Sequence, residues 1–268
     1  MSAHLTGFRA RLLAGPPAFM AWCGMREPNL LETLLREGYD CAVLDWQHGF
    51  HDYGSIETGI LVAEAQKKPA FVRIGVKGFA DAARFLDWGA TGIIAPMINS
   101  ADDARAFVDY VKYPPLGGRS WGAPRQMGMM GYSMSDQLAK SNLSTLAIAM
   151  IETREALNAL DHILAVPGID GVLVGPSDLS IALSNGGHVN MLDPEVDTAL
   201  THIARVTRAA GKIASAFTPD GTRAAELATR GYHMLSTGTD SSLIRASARA
   251  EIAKARNSSG SGAKGGGY

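Results

Sequence analysis

Short apolar runs rich in β-branched and aromatic residues alternate with amphipathic stretches along almost the whole chain, and the alternation repeats eight times. A buried parallel strand needs a crossover before its neighbour can form, so each repeat reads as one strand followed by one helix. The strand candidates are AFMAWCG near residue 20, CAVLDW at 41, AFVRI at 70, GIIAPM at 92, LAIAMIE at 146, GVLVG at 171, KIASAFT at 212 and YHMLSTG at 232. Between them, segments such as PNLLETLLREG, GFADAARFLDWG, SADDARAFVDYVKY and DGTRAAELATRG space their apolar residues by three and four. Glycines at the ends of such segments suit helix C-caps, and the segments read as an outer ring of helices.

Eight such units in 268 residues match the size of a closed (β/α)8 TIM barrel. An open doubly wound sheet would more often carry a glycine fingerprint after its first strand, and this chain has none. The predicted fold class is therefore α/β, with residues 1–256 as one barrel domain. NSSGSGAKGGGY, residues 257–268, has flexible-linker composition and is expected to be a disordered tail. The segment 114–138, PPLGGRSWGAPRQMGMMGYSMSDQL, is too long and too rich in Gly and Met for a plain connection. It follows a helix and precedes a strand, so it leaves from the barrel end opposite the strands' C-termini. A subunit contact is its preferred role, and a lid over a neighbour's site is the other.

A hydrophobic content of 46%, 19% charged residues and a net charge of −1 fit a globular chain with a full core. Near-neutral balance without a Lys/Arg run gives no reason to expect nucleic acid or an anionic membrane as partner, which leaves small molecules. Pro16 and Pro17 break the apolar N-terminal stretch and no segment approaches a membrane span, so a cytoplasmic location is expected. Cys23 and Cys41 lie in separate strand candidates and read as buried reduced thiols rather than a disulfide or metal pair.

In a barrel of this kind the strand C-termini converge, so the polar residues there are the candidates for chemistry. They are Asp45 and His48 after the second strand, Arg73 in the third, Glu152 at the fifth and Asp178 after the sixth. Two carboxylates on adjacent strands suit Mg²⁺ or Mn²⁺, with Co²⁺ a further option; zinc would want softer ligands. The alternative is that Glu152 and Asp178 each cap the helix that follows. In LDWQHG, Asp45 could orient the imidazole of His48, whose neutral form accepts a proton. His51, His162, His188, His202 and His233 lack such a position. Arg73, a charge inside an apolar run, is expected to face a polar cavity holding an anion. No lysine stands at a strand C-terminus, which argues against a Schiff-base mechanism and for metal-assisted enolate formation.

LDWQHG, the arginine of FVRIG, GIIAPMINSADDA, YPPLGGRSWG, IETREALNALDHIL and GIDGVLVGPSDLS, in this order and spacing, resemble the HpcH/HpaI aldolase family of metal-dependent 2-oxo-acid aldolases. The resemblance runs from about residue 18 to 256. It implies Glu152 and Asp178 as metal ligands, His48 as base with Asp45 behind it, and Arg73 on the 2-oxo group. It further implies that backbone amides around Ser177 and Asp178 hold the substrate carboxylate, and that the assembly is a hexamer, a trimer of dimers. Trp22 and Phe217, at the ends of the first and seventh strands, join the expected substrate-binding residues, with core packing the other reading of Phe217. Met150 stands where relatives often have glutamine, and Gln47 where glutamate is frequent. The implied activity is reversible aldol cleavage of 4-hydroxy-2-oxo acids to pyruvate or hydroxypyruvate and an aldehyde. A CoA-thioester lyase, an oxaloacetate decarboxylase or a catalytically silent oligomeric barrel are the alternatives; the sequence displays no basic patch for a CoA nucleotide.

Overall fold

The computed structural model describes residues 7–260. Eight parallel strands close into a barrel in sequence order: β1 (Ala18–Cys23), β2 (Cys41–Asp45), β3 (Ala70–Arg73), β4 (Gly92–Ala95), β5 (Leu146–Ile151), β6 (Gly171–Val174), β7 (Ile213–Ala216) and β8 (Met234–Thr239). Each of the eight runs read from the sequence holds one of these strands, and β8 returns to β1 with Ala18 opposite Met234. The (β/α)8 fold class is as predicted.

Side chains alternate faces along a strand, and this parity sorts the core into two bodies. Met20 and Trp22, Cys41 and Val43, Phe71, Ile94, Ile148 and Met150, Leu173, Ile213 and Met234 fill the interior. Their strand neighbours Ala21, Cys23, Ala42, Leu44, Val72, Ile93 and Ala147 pack outward under the helices. The interior is tight: a Cβ on Gly92 of β4 would sit 2.4 Å from the Phe71 ring, so this glycine makes room for that aromatic. Continuing the inward rows of β2, β3, β5 and β7 by one step gives Asp45, Arg73, Glu152 and Phe217. Strand parity thus delivers the predicted polar residues and one aromatic wall to the same end.

The other end is plugged by the helix Phe8–Ala14, whose Phe8 and Leu12 are buried in the interior, Phe8 lying 6.1 Å from Phe71. Sequence reading missed this helix, because seven residues with one i,i+4 apolar pair carry too little periodicity. It also took 114–138 as a long connection, whereas the segment holds the helix Pro124–Met130 and the first turns of Met134–Ser144. Ser133 and Asp136 form a capping box at the second of these helices, and Gly131, with φ of 65°, ends the first in the left-handed region. The segment does lie at the strands' N-terminal side, as expected: Gln126, Met129 and Met130 line a small crevice with residues 89–91, just before β4.

The last helix, Asp240–Gly260, takes in residues 257–260 of the expected tail; residues 261–268 lie outside the described residues. From 244 to 257 every residue of this helix is exposed. Among the described residues no helix is long and apolar enough to cross a membrane. Cys23 and Cys41 are buried free thiols facing the outer and inner cores respectively, which agrees with the sequence reading. Burial pushes both thiols up.

Candidate active site

A cavity of about 210 Å³ opens at the C-terminal ends of the strands. Trp22, Asp45, His48, Arg73, Ser177, Asp178 and Phe217, all expected at the site, line it. Its volume is below that of drug-sized pockets and suits a small ligand.

On one wall, β2 and β3 place Asp45 directly opposite Arg73 in register. The guanidinium binds the carboxylate through two nitrogens, with Nε 2.9 Å from Oδ1. Trp22 donates its Nε1–H to Oδ2 at 3.1 Å, and the Arg73 guanidinium lies 5.0 Å from the Trp22 ring. Phe217 meets that ring edge-on at 5.3 Å. Burial pushes the Asp45 carboxyl up, but the hydrogen bond and charge of Arg73 outweigh it and hold Asp45 below the usual carboxylate range. This corrects the predicted role of Asp45. It meets His48 through the backbone N–H, at 3.2 Å, and its carboxylate serves Arg73 rather than the imidazole. Arg73 faces the cavity as predicted, with Asp45 as its anion.

Glu152, one residue past β5 and 2% exposed, does not line the cavity itself; it lies buried behind the lining residues Met150 and Gly175. Its Oε1 accepts the Met97 N–H at 3.1 Å, and Met97 is held at φ of 54° to present it. Such left-handed backbone is uncommon for a residue with a side chain and clusters at functional sites. Oε2 is buried with no hydrogen-bond partner among the described residues. A Cβ on Gly175 would come within 2.5 Å of that oxygen, so a side chain there would push the carboxylate aside. Burial pushes the Glu152 carboxyl up to about 7, the negative charge of Asp178 adding to it while the Met97 N–H and Arg73 oppose.

Neither acid is spent on capping. Thr153, not Glu152, caps the helix Arg154–Asn158 through the Ala156 N–H at 3.0 Å. Asp178 lies in the first turn of Pro176–Leu183, whose N-cap is Gly175 with no side-chain cap bond. A desolvated oxygen without a donor, coupled to a second carboxylate, is a fitting ligand pair for a hard divalent cation. Among the described residues no group of three or more His, Cys, Asp and Glu could hold a metal. The pair therefore fits an ion completed by water and ligand oxygens rather than a closed structural zinc site.

His48 is exposed at the cavity mouth, in the turn after β2. Other histidines have structural partners: His51 bridges the Cys23 carbonyl and the Ser55 hydroxyl, and His233 Nδ1 accepts the Ala214 N–H. Among the described residues no lysine lines the cavity. Lys212, just before β7, donates to the carbonyls of Val166 and Ile169, just before β6, at the strands' N-terminal side. Two participants were missed. Thr239, at the end of β8, lines the cavity and was findable by the strand-end rule applied to neutral side chains. The Met97 N–H was not, because a backbone donor has no residue signature.

A family model described as HpcH/HpaI aldolase/citrate lyase matches residues 18–247. The hydroxypyruvate/pyruvate aldolase of Rhizorhabdus wittichii is 36% identical over 90% of this chain and 95% of its own length. The 4-hydroxy-2-oxo-heptane-1,7-dioate aldolase of Shigella flexneri is 31% identical over 94% of each. Among solved structures, the HpcH/HpaI aldolase from Desulfitobacterium hafniense has a TM-score of 0.85 at 26% identity, covering 92% of this chain and 96% of that one. With a closed barrel, Glu152 and Asp178 at the C-terminal ends of adjacent strands and matches along nearly its whole length, this chain belongs to the HpcH/HpaI aldolase/citrate lyase family, as a carbon–carbon lyase.

Proposed function

We propose that this protein is a divalent-metal-dependent aldolase that reversibly joins a 2-oxo acid, pyruvate or hydroxypyruvate, to an aldehyde. The observation that carries the reading is the buried, unpartnered Oε2 of Glu152, coupled to Asp178 beside a cavity that also holds Arg73 and His48. Glu152 and Asp178 hold the ion, Mg²⁺ or Mn²⁺ by the hardness of their oxygens, with Co²⁺ also accepted. When bound, the ion supplies a Lewis acid for the charge that develops on the 2-oxo oxygen.

Arg73, fixed by Asp45 and flanked by Trp22, brings a second positive charge to that oxygen without reorganising. The backbone N–H groups of Ser177 and Asp178, at the start of Pro176–Leu183, receive the substrate carboxylate. His48 moves the proton between the acceptor oxygen and solvent, and cleavage runs the same path backwards. Trp22 and Phe217 wall the acceptor side. Met150, which lines the cavity, makes apolar a stretch of wall where relatives often place an amide. The protein acts in the cytoplasm as a homo-oligomer, a hexamer; the exposed last helix, with Ile244 and Ile252 at 43% and 51% exposure, supports association.

The test is pyruvate release from a 4-hydroxy-2-oxo acid by chelator-treated protein, with and without added Mg²⁺ or Mn²⁺, oxaloacetate and a CoA thioester serving as competing substrates. Metal-restored aldol cleavage and a His48→Ala variant that binds metal but loses most turnover are expected. Chelator-insensitive cleavage with a borohydride-trapped lysine adduct would overturn the reading.

A further inference from the structure

Behind the cavity, Glu152 belongs to a closed circuit of hydrogen bonds that joins the loop after β4 to the end of β5. Oε1 accepts the Met97 N–H at 3.1 Å, and two residues further along that loop Asn99 Oδ1 accepts the Thr153 hydroxyl at 2.7 Å. Thr153 follows Glu152 directly, so neither the Met97 N–H nor the Glu152 backbone can shift without breaking a bond. The Thr153 hydroxyl is held in turn, because it also accepts the Ala156 N–H at 3.0 Å.

The loop needs such a tie. Met97 sits at φ of 54°, a strained conformation for a residue with a side chain, and one that persists only where the surroundings over-determine it. Ile98 is buried in the outer core, and the Asn99 N–H donates to Asp103 Oδ2 at 3.1 Å, at the start of the helix Ala101–Val111. Those contacts fix the loop to its own strand and helix, and the bond from Asn99 to Thr153 fixes it to β5. Holding Met97 there decides which oxygen Glu152 can offer. An oxygen that already faces the positive hydrogen of an N–H is disfavoured as a cation ligand, which leaves Oε2, the oxygen without a donor. A carboxylate limited to one oxygen suits the octahedral shell of Mg²⁺ and Mn²⁺. Ca²⁺ takes about six to eight oxygens and often draws two from one carboxylate.

We propose that Asn99 and Thr153 are positioning residues that keep Glu152 a one-oxygen ligand and thereby select Mg²⁺ and Mn²⁺ over Ca²⁺. This rests on the reading of Glu152 and Asp178 as the ligands of the ion. Its test uses the chelator-treated full-length protein and the metals alone. Mn²⁺ binding is read from loss of the free-ion electron paramagnetic resonance signal, and Ca²⁺ binding from displacement of Mn²⁺. The quantity compared is Kd for Ca²⁺ divided by Kd for Mn²⁺. Asn99→Leu should bind Mn²⁺ about tenfold more weakly, as for loss of other groups that orient a metal ligand. The ratio should fall by about threefold or more, because the freed carboxylate can turn both oxygens to Ca²⁺. Thr153→Val, which also loses the cap of Arg154–Asn158, should show the same fall, and Thr153→Ser, which keeps the hydroxyl, should retain the parental ratio. A general loosening of the fold would weaken both metals alike and leave the ratio unmoved. A fall of less than about threefold in either variant that folds, or a Thr153→Ser ratio as low as that of Thr153→Val, overturns the clasp. Should Asn99→Leu fail to fold, Thr153→Val against Thr153→Ser decides. Absence of Mn²⁺ binding by the unsubstituted protein overturns the metal reading and the clasp with it.

Discussion

The two ends of the barrel each bury a charged side chain, and they treat it in opposite ways. At the N-terminal end, Lys112 is 1% exposed and its ammonium donates to the carbonyls of Asn142 and Thr145 and to Asp170, the last at 2.7 Å. Asp170 in turn accepts the Ala147 N–H and Arg9 Nε. Burial pulls the Lys112 ammonium below its usual range while Asp170 opposes, and all three of its donors have acceptors. At the C-terminal end, Glu152 is as deeply buried, yet one oxygen has no donor and its carboxyl is pushed up to about 7. A complete set of partners fastens the β4–β5–β6 base; an incomplete one leaves a reserve of free energy that a cation can collect. This is the division of a TIM barrel into a stability face and a reaction face, here readable in single side chains.

Substitutions at the two ends should therefore separate activity from stability. The largest effect is expected for Glu152→Ala: loss of metal binding in a titration and of pyruvate release by about a thousandfold or more, since Lewis-acid stabilisation supplies several kcal/mol. Its thermal midpoint should not drop, because the side chain contributes an unsatisfied oxygen to the apoprotein. Lys112→Ala should do the reverse. Removing the ammonium leaves Asp170 with the Ala147 N–H and the part-exposed Arg9 and takes the donor from the Asn142 and Thr145 carbonyls. This costs about 2–4 kcal/mol in denaturant unfolding, while KM for the folded protein stays at its parental value. A Lys112 variant that unfolds like the parent would erase the contrast between the ends.

A pH series sharpens the contrast. Glu152 has an ordinary value of 4.5 and a folded value of about 7, so the native state holds a proton that the unfolded chain has released. Metal-free stability must then fall as pH rises from 4.5 to 7 and stay low above it. The difference corresponds to about 3 kcal/mol at pH 8, as an order of magnitude. Glu152→Gln should remove this slope and be the more stable protein at pH 8 without metal, by urea unfolding. Added Mg²⁺ or Mn²⁺ should restore the parent and leave the variant unmoved. A flat parental profile between these pH values would show that Glu152 stays solvated.

Much of this architecture is legible in the sequence. Inward parity carried from Val43 to Asp45, from Phe71 to Arg73 and from Met150 to Glu152 is a property of strand spacing, so the site's charged residues could be placed by counting. What Asp45 does could not. An aspartate three residues before a histidine suggests an imidazole partner, but register across β2 and β3 sets an arginine directly opposite, and the closer charge wins. The helices Phe8–Ala14 and Pro124–Met130 span two turns or fewer, too short for periodicity to speak. The capping box of Ser133 and Asp136 was present in the sequence and is the one missed signal of that region with a known form. Met97 and Gly175 act on Glu152 through a backbone N–H and a missing side chain, which appear only when β4, β5 and β6 are brought together.

The smallest expected effect tests how firmly the reaction face is preorganised. Trp22 touches Asp45 through Nε1–H, lies against Arg73 with its ring, and meets Phe217 at its edge. Trp22→Phe keeps an aromatic in the row but removes the donor, leaving Asp45 Oδ2 with Arg73 alone. A hydrogen bond to a charged group contributes about 1.5–3 kcal/mol, and the salt bridge that remains recovers part of it. If Arg73 is positioned by this triad, KM for the 2-oxo acid should rise about fivefold with kcat falling less, because the guanidinium loses orientation and keeps its charge. Asp45→Asn, which removes the anion and keeps the shape, should show the same sign with a larger amplitude. Equal KM values in the parent and both variants would mean that Arg73 finds its place without them, and that the ordered wall of β1, β2 and β3 serves packing rather than the substrate.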